Sequence, residues 1–134
     1  MLSVLAAAAL AAASPTGGEL RLAFEWLEGG GQVVFAVYAD AKGWSRRAGQ
    51  VAGGPLPIRA GRAEATVALP PGRYAVMAFH DRDADGRLDT LPVGLPVEPY
   101  GFSNDSRGTF GPPAWSRAAF TLPANGLRQF IRLR

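Results

Sequence analysis

Between the end of an apolar run and a proline-rich segment the chain reads His80-Asp81-Arg82-Asp83-Ala84-Asp85-Gly86-Arg87-Leu88-Asp89. Carboxylates stand at every second residue, a glycine follows the third, and a fourth acid comes three residues later. Two like charges about 4 Å apart repel by on the order of 4 kcal/mol at an effective dielectric near 20. A hard cation with oxygen ligands relieves that repulsion, and calcium loops use this spacing. Counted from Asp81 as first ligand, Asp83 and Asp85 stand third and fifth. Gly86 allows the sharp turn at the sixth position, Arg87 offers its backbone carbonyl at the seventh, and Asp89 binds at the ninth, directly or through water. Leu88 would point into the core. Position twelve, where a helix-loop-helix site needs a bidentate glutamate, is Pro92, and no helical pattern flanks the loop. The ligand logic is that of a calcium loop set in a β protein, and Glu98 is the candidate for a further carboxylate.

Two other readings compete for the same stretch. One is an Asx-turn loop stiffened by its own side chains, with no ion. The other places magnesium or another metal there. His80, the single histidine, could act as a general base or soft-metal ligand, or could end a strand and hydrogen-bond to the loop; without a nucleophile partner it is weak evidence for catalysis. No nucleophile elbow and no phosphate-cradling glycine motif occurs.

Strand-like segments and Gly/Pro-rich turns position this loop. Residues 19–26 alternate charged with apolar side chains, a half-buried strand. Gly29-Gly30-Gly31 turns the chain into Gln32–Tyr38, an unbroken apolar run of the kind found in a central strand, and the two read together as a hairpin. Residues 40–61 read as a long loop rich in glycine and proline, in which Trp44 serves either as a surface contact or as an anchor on the core. Residues 63–69 alternate cleanly, Pro70-Pro71-Gly72 is a tight turn, and residues 73–79 deliver the chain into the acidic loop. The following segment holds too many prolines for a central strand. Residues 118–122 and 127–133 are closing strands about a turn at Asn125-Gly126. About seven short strands predict an all-β fold, a single Greek-key β-sandwich of the prealbumin-like or Ig-like kind.

The 134 residues make one domain with room for a core. Residues 1–13 read as a signal peptide, an apolar Leu/Val/Ala stretch ending in Ala11-Ala12-Ala13. It lacks the usual basic region and is too short to span a bilayer. Residues 14–18 form a short linker, and residues 19–134 the domain. The chain has no cysteine, which excludes disulfides and lipoprotein attachment. Export to a bacterial periplasm or the exterior, where calcium is plentiful, is the expectation. The formal charge is +3, with Lys42 the single lysine and arginines scattered along the chain. No dense basic run with interleaved aromatics appears, so nucleic acid is not an expected partner.

Pro71-Gly72-Arg73-Tyr74, then His80-Asp81, then Gly94-x-Pro96-x-Glu98-x-Tyr100-Gly101-Phe102-Ser103-Asn104, and finally Pro113-Ala114-Trp115-Ser116-Arg117-Ala118-Ala119-Phe120 resemble, in that order, the bacterial secreted family catalogued as domain of unknown function 2141. The resemblance runs from about residue 19 to 133, with Trp115 where the family more often has phenylalanine. It implies an exported β-sandwich domain. The turn from Leu69 to Tyr74 also looks like that of transthyretin-like and B-type repeat domains. If the acidic loop and the Tyr100–Asn104 segment meet at one end of the sandwich, then Tyr100, Phe102, Ser103 and Asn104, with His80, are candidate ligand contacts for a carbohydrate or protein partner. Alternatively, the two aromatics cover the core. The expectation is a monomeric calcium-bearing structural or binding module; a metal-free accessory domain is the alternative, and a metal-assisted hydrolase is disfavoured by the lack of a second histidine.

Overall fold

A computed structural model describes residues 18–84, 98–108 and 111–134. The signal peptide read over residues 1–13, the linker up to residue 17, and the loop residues Asp85, Arg87 and Asp89 lie outside the described residues. What is described is mostly β: β1 (Gly18–Phe24), β2 (Gln32–Tyr38), β3 (Ala52–Pro57), β4 (Ala63–Leu69), β5 (Gly72–Asp81), β6 (Tyr100–Phe102), β7 (Phe120–Leu122) and β8 (Leu127–Phe130). Two short helices, α1 (Ala41–Arg46) and α2 (Trp115–Ala118), and one 3-10 turn (Ser103–Asp105) complete it.

The strands form two sheets. One has the order β4-β1-β8; the other has the order β3-β2-β5-β6, with β7 also pairing β5. Alternation dictates what each sheet turns inward. Leu20, Leu22 and Phe24 of β1, Val33, Phe35 and Val37 of β2, and Tyr74, Val76 and Ala78 of β5 gather with Phe120, Leu122 and Ile131 in one apolar core. Strands β2 and β5 are partly covered on their other face as well. There Tyr38, Trp44, Ala75, Phe102 and Ala118 form a second cluster, with Met77, Tyr100 and Trp115 packed against it. The unbroken apolar run of β2 thus has its reason, because β2 lies between β3 and β5 with one face in the core and the other half-covered.

Three expectations from the local pattern are corrected. First, β1 and β2 do not form a hairpin. β1 pairs antiparallel with β4 and parallel with β8, whereas β2 pairs with β3 and β5; residues 25–31 carry the chain from one sheet to the other. Second, residues 40–61 are not one loop. Asp40 caps α1 by accepting the Gly43 N–H at 2.7 Å, and residues 52–57 form β3. Six helical residues are too few to show a period, and Pro55 and Pro57 mark an edge strand, where a missing N–H is tolerated. Third, β7 and β8 flank the turn near Gly126 without pairing with each other: β7 joins β5 and β8 joins β1.

Trp44 is the anchor of this region. Its indole N–H donates to the Pro113 carbonyl at 2.8 Å, and its ring meets Tyr38, Phe102 and Trp115 edge-on at 5.7, 6.0 and 6.5 Å. One buried tryptophan therefore pins α1 and α2 to the outer face of the five-stranded sheet.

Candidate metal centre

Among the described strands β5 is the longest, and its last two residues are His80 and Asp81. Successive side chains of a strand point to opposite faces, so these neighbours are separated. His80 is buried, and its Nε2 lies 2.8 Å from the Gly30 carbonyl. A carbonyl only accepts, so Nε2 carries the hydrogen. The His80 backbone N–H donates to the Pro99 carbonyl at 2.8 Å. His80 therefore ties β5 to the glycine turn before β2 and to the residue before β6.

Asp81 is fully buried and faces the other way. Gln32, its register partner on β2, donates from Nε2 to Asp81 Oδ2 at 2.9 Å. The chain then turns, with the Ala84 N–H reaching the Asp81 carbonyl at 3.3 Å. Asp83 sits exposed in that turn. Glu98 is buried just ahead of β6, and its Oε2 accepts the Arg82 backbone N–H at 2.8 Å. One carboxylate oxygen from each of Asp81, Asp83 and Glu98 lies within 4.8 Å of the others. Sequence spacing alone placed Asp81 and Asp83 in one loop; the pairing of β6 with β5 brings in Glu98.

This donor set suits a hard cation. Calcium takes oxygens at about 2.3–2.6 Å, so two ligands across one ion lie about 5 Å apart at most. Three carboxylate oxygens within 4.8 Å fit that sphere. A complete calcium shell has six to eight oxygens, so backbone carbonyls or water would supply the rest.

The other candidate contacts have different work. Phe102 is buried, and Tyr100 meets it edge-on at 5.6 Å; both belong to the outer apolar cluster. Ser103 is buried, with Oγ donating to the Ala118 carbonyl at 2.6 Å and accepting the Val76 N–H at 2.9 Å. Asn104, in the left-handed region at φ 59°, donates from Nδ2 to the Arg117 and Ala119 carbonyls and exchanges two hydrogen bonds with Gln129. These two polar residues fasten β6 to α2, β5 and β8. The polar groups singled out for ligand contact are thus held by backbone and by Gln129.

Three contributors escaped the sequence reading. Gln32 holds Asp81. Gly31, at φ 89°, packs so closely that a Cβ there would lie 2.1 Å from the Asp81 carbonyl oxygen; its place in a glycine run was the available signal. Arg107 stacks over the Tyr100 ring at 5.3 Å and donates to the Tyr100 and Arg132 carbonyls at 2.9 and 3.1 Å. Burial, then the nearby Arg134 charge, lowers the Arg107 pKa from its ordinary value.

Among the described residues no helix is long and apolar enough to cross a membrane. A family model described as "Uncharacterized protein conserved in bacteria" (DUF2141) matches residues 26–129. No curated protein matches the chain.

Proposed function

The chain belongs to the DUF2141 family of bacterial proteins, and on that premise we propose that it is an exported β-sandwich module whose acidic loop holds calcium at the C-terminal end of β5, in a structural or binding role. The observation that carries this reading is the convergence of Asp81, Asp83 and Glu98 oxygens within 4.8 Å, two of them from buried residues. Burial raises the cost of ionised carboxylates, and mutual repulsion adds to it. A divalent ion among them offsets both.

In this reading the ion joins the end of β5 to the start of β6, and Asp85, Arg87 (through its carbonyl) and Asp89 complete the shell from the loop between. The two sheets sharing one apolar core support a Greek-key sandwich of the transthyretin-like kind. Periplasmic or extracellular placement rests on the apolar leader read over residues 1–13. A binding or structural role is favoured over hydrolysis because the His80 ring is bonded to the Gly30 carbonyl on the face opposite Asp81.

The test is calorimetric titration of chelator-treated protein with calcium and, separately, magnesium. Saturable calcium binding near one ion per chain, lost in Asp81→Asn, is the expected result. No heat and no change in melting temperature with calcium would leave the metal-free accessory domain as the reading.

A further inference from the structure

The strands that border the two sheets differ in how they are guarded against pairing with another chain. β3 carries Pro55 and Pro57, each without an N–H to donate. At β6, Tyr100 exchanges two backbone bonds with Arg134, at 3.2 and 3.1 Å. β7 and β8 are short, with three and four residues, and the Arg132 carbonyl past β8 already accepts from Arg107. β4 has none of these devices. It runs for seven residues, Ala63–Leu69, with no proline, glycine or lysine, and among the described strands its one partner is β1.

The ladder fixes which backbone groups of β4 are open. The Ala23 carbonyl accepts the Ile131 N–H at 3.1 Å, so Ala23 turns its backbone groups toward β8. The N–H and C=O of one strand residue point to the same side, and the side alternates along the strand. Leu20, Leu22 and Phe24 therefore turn theirs to β4, where Val67, Ala65 and Ala63 are the register partners. This leaves the N–H and C=O groups of Glu64, Thr66 and Ala68 pointing outward from the edge, and among the described residues no backbone bond takes them up. The same edge is open to the core. Ala63 and Leu69 are buried at the ends of β4, but Ala65 and Val67 between them are only half-buried, as are Leu56 and Ile58 on the β3 side of that core.

An added antiparallel strand would meet both needs, and β4 is complementary to itself. About a two-fold axis at Thr66, that residue meets the partner's Thr66, Glu64 meets the partner's Ala68, and Ala65 meets the partner's Val67. Apolar residues then face apolar ones on the core side, and no two like charges stand opposite, as stable cross-strand pairing requires. The outward-pointing residues form the hydrogen-bonded pairs, each exchanging two N–H···O bonds. We propose that this edge pairs with the same edge of a second copy of the chain, joining two three-stranded sheets into one across a dimer. The monomer read from the sequence is then the dilute form. None of these residues belongs to the carboxylate cluster of Asp81, Asp83 and Glu98, so the pairing needs no metal.

The full chain, in chelator, is followed by sedimentation velocity up to about 1 mM, where a Kd of that order is visible, and by amide hydrogen exchange. A dimer is expected, and raising the concentration should slow exchange at Glu64, Thr66 and Ala68. Thr66→Pro removes an outward N–H and spares the ladder to β1, a change that an edge strand tolerates. It should fold and weaken the dimer about tenfold or more, because each copy loses a bond at the axis. Ala68→Lys sets a cation opposite the partner's Glu64 and should tighten the dimer about threefold or more, whereas Ala68→Glu should loosen it by as much. A monomer at the highest concentration overturns the proposal and leaves the edge to a strand of another protein. A wild-type dissociation constant in folded Thr66→Pro overturns it too. So do equal constants for the two Ala68 variants, whether or not Thr66→Pro folds.

Discussion

Glu98 Oε2 accepts the backbone N–H of Arg82 at 2.8 Å, and through that bond a buried glutamate ahead of β6 is held beside the turn that follows Asp81. The contact links the entry of one strand to the exit of another. It decides whether the carboxylates form a cluster or merely a charged loop.

Glu98→Gln keeps an oxygen to accept the Arg82 N–H and removes the charge. Under chelator this variant should melt at or slightly above the wild type, since one repelling carboxylate is gone. Calcium at 100 times its Kd should stabilise the wild type by about 2.7 kcal/mol and the variant by much less. Paired thermal melts with chelator and with calcium check this, and equal calcium shifts in the two proteins would remove Glu98 from the ligand set.

Gln32 donates to Asp81 Oδ2 at 2.9 Å. Gln32→Ala takes a partner from a buried carboxylate, which costs about 1–3 kcal/mol. Urea unfolding should show a lower midpoint at an unchanged slope, with weakened calcium affinity, because Asp81 loses one of the bonds that fix its carboxylate.

Gly31→Ala should be worse. The residue sits at φ 89°, and an added Cβ would come within 2.1 Å of the Asp81 carbonyl oxygen and 2.7 Å of Arg82 Cα. Backbone atoms cannot swing aside, so a loss of roughly 2–4 kcal/mol is expected. Gly30→Ala, which meets nothing within 4 Å, is the control and should change stability by under about 1 kcal/mol.

Ser103→Ala distinguishes a fastening residue from a ligand contact. Its hydroxyl joins the Val76 N–H and the Ala118 carbonyl in a buried site, so the variant should lose about 1–3 kcal/mol for groups left without a partner. Calcium affinity should not move, and chemical denaturation beside a calcium titration reads both quantities.

The Tyr74 hydroxyl donates to the Pro70 carbonyl at 2.6 Å, and burial raises its pKa above the ordinary 10.0. A raised folded-state value means that its contribution is complete below pH 10 and is lost as pH climbs through the folded pKa. Stability should therefore fall above pH 10 more steeply in the wild type than in Tyr74→Phe, as thermal melts across that range would show.

Composition and alternation determined a good deal by themselves. The β character, the turn at Pro70-Pro71-Gly72 and the covered position of β2 follow from the side-chain period and from unbroken apolar runs, which are local properties. The adjacency of Asp81 and Asp83 was equally legible, because two residues of separation leave the backbone little freedom. Pairing is not local. That β1 joins β4 and β8 in place of β2, and that residues 52–57 extend the sheet despite Pro55 and Pro57, depend on which edge each strand finds once the core closes. His80 and Asp81 face opposite sides of β5 because side chains alternate along any strand, but which face looks onto the Gly30 carbonyl and which onto Gln32 is set by the pairing with β2. Gly31-Gln32 and Glu98 reach the same carboxylate neighbourhood from two segments far apart in sequence. Spacing along a chain constrains only what the backbone between two residues can span; distances across sheets are decided by the packing that minimises exposed apolar surface, and that is a property of the whole fold.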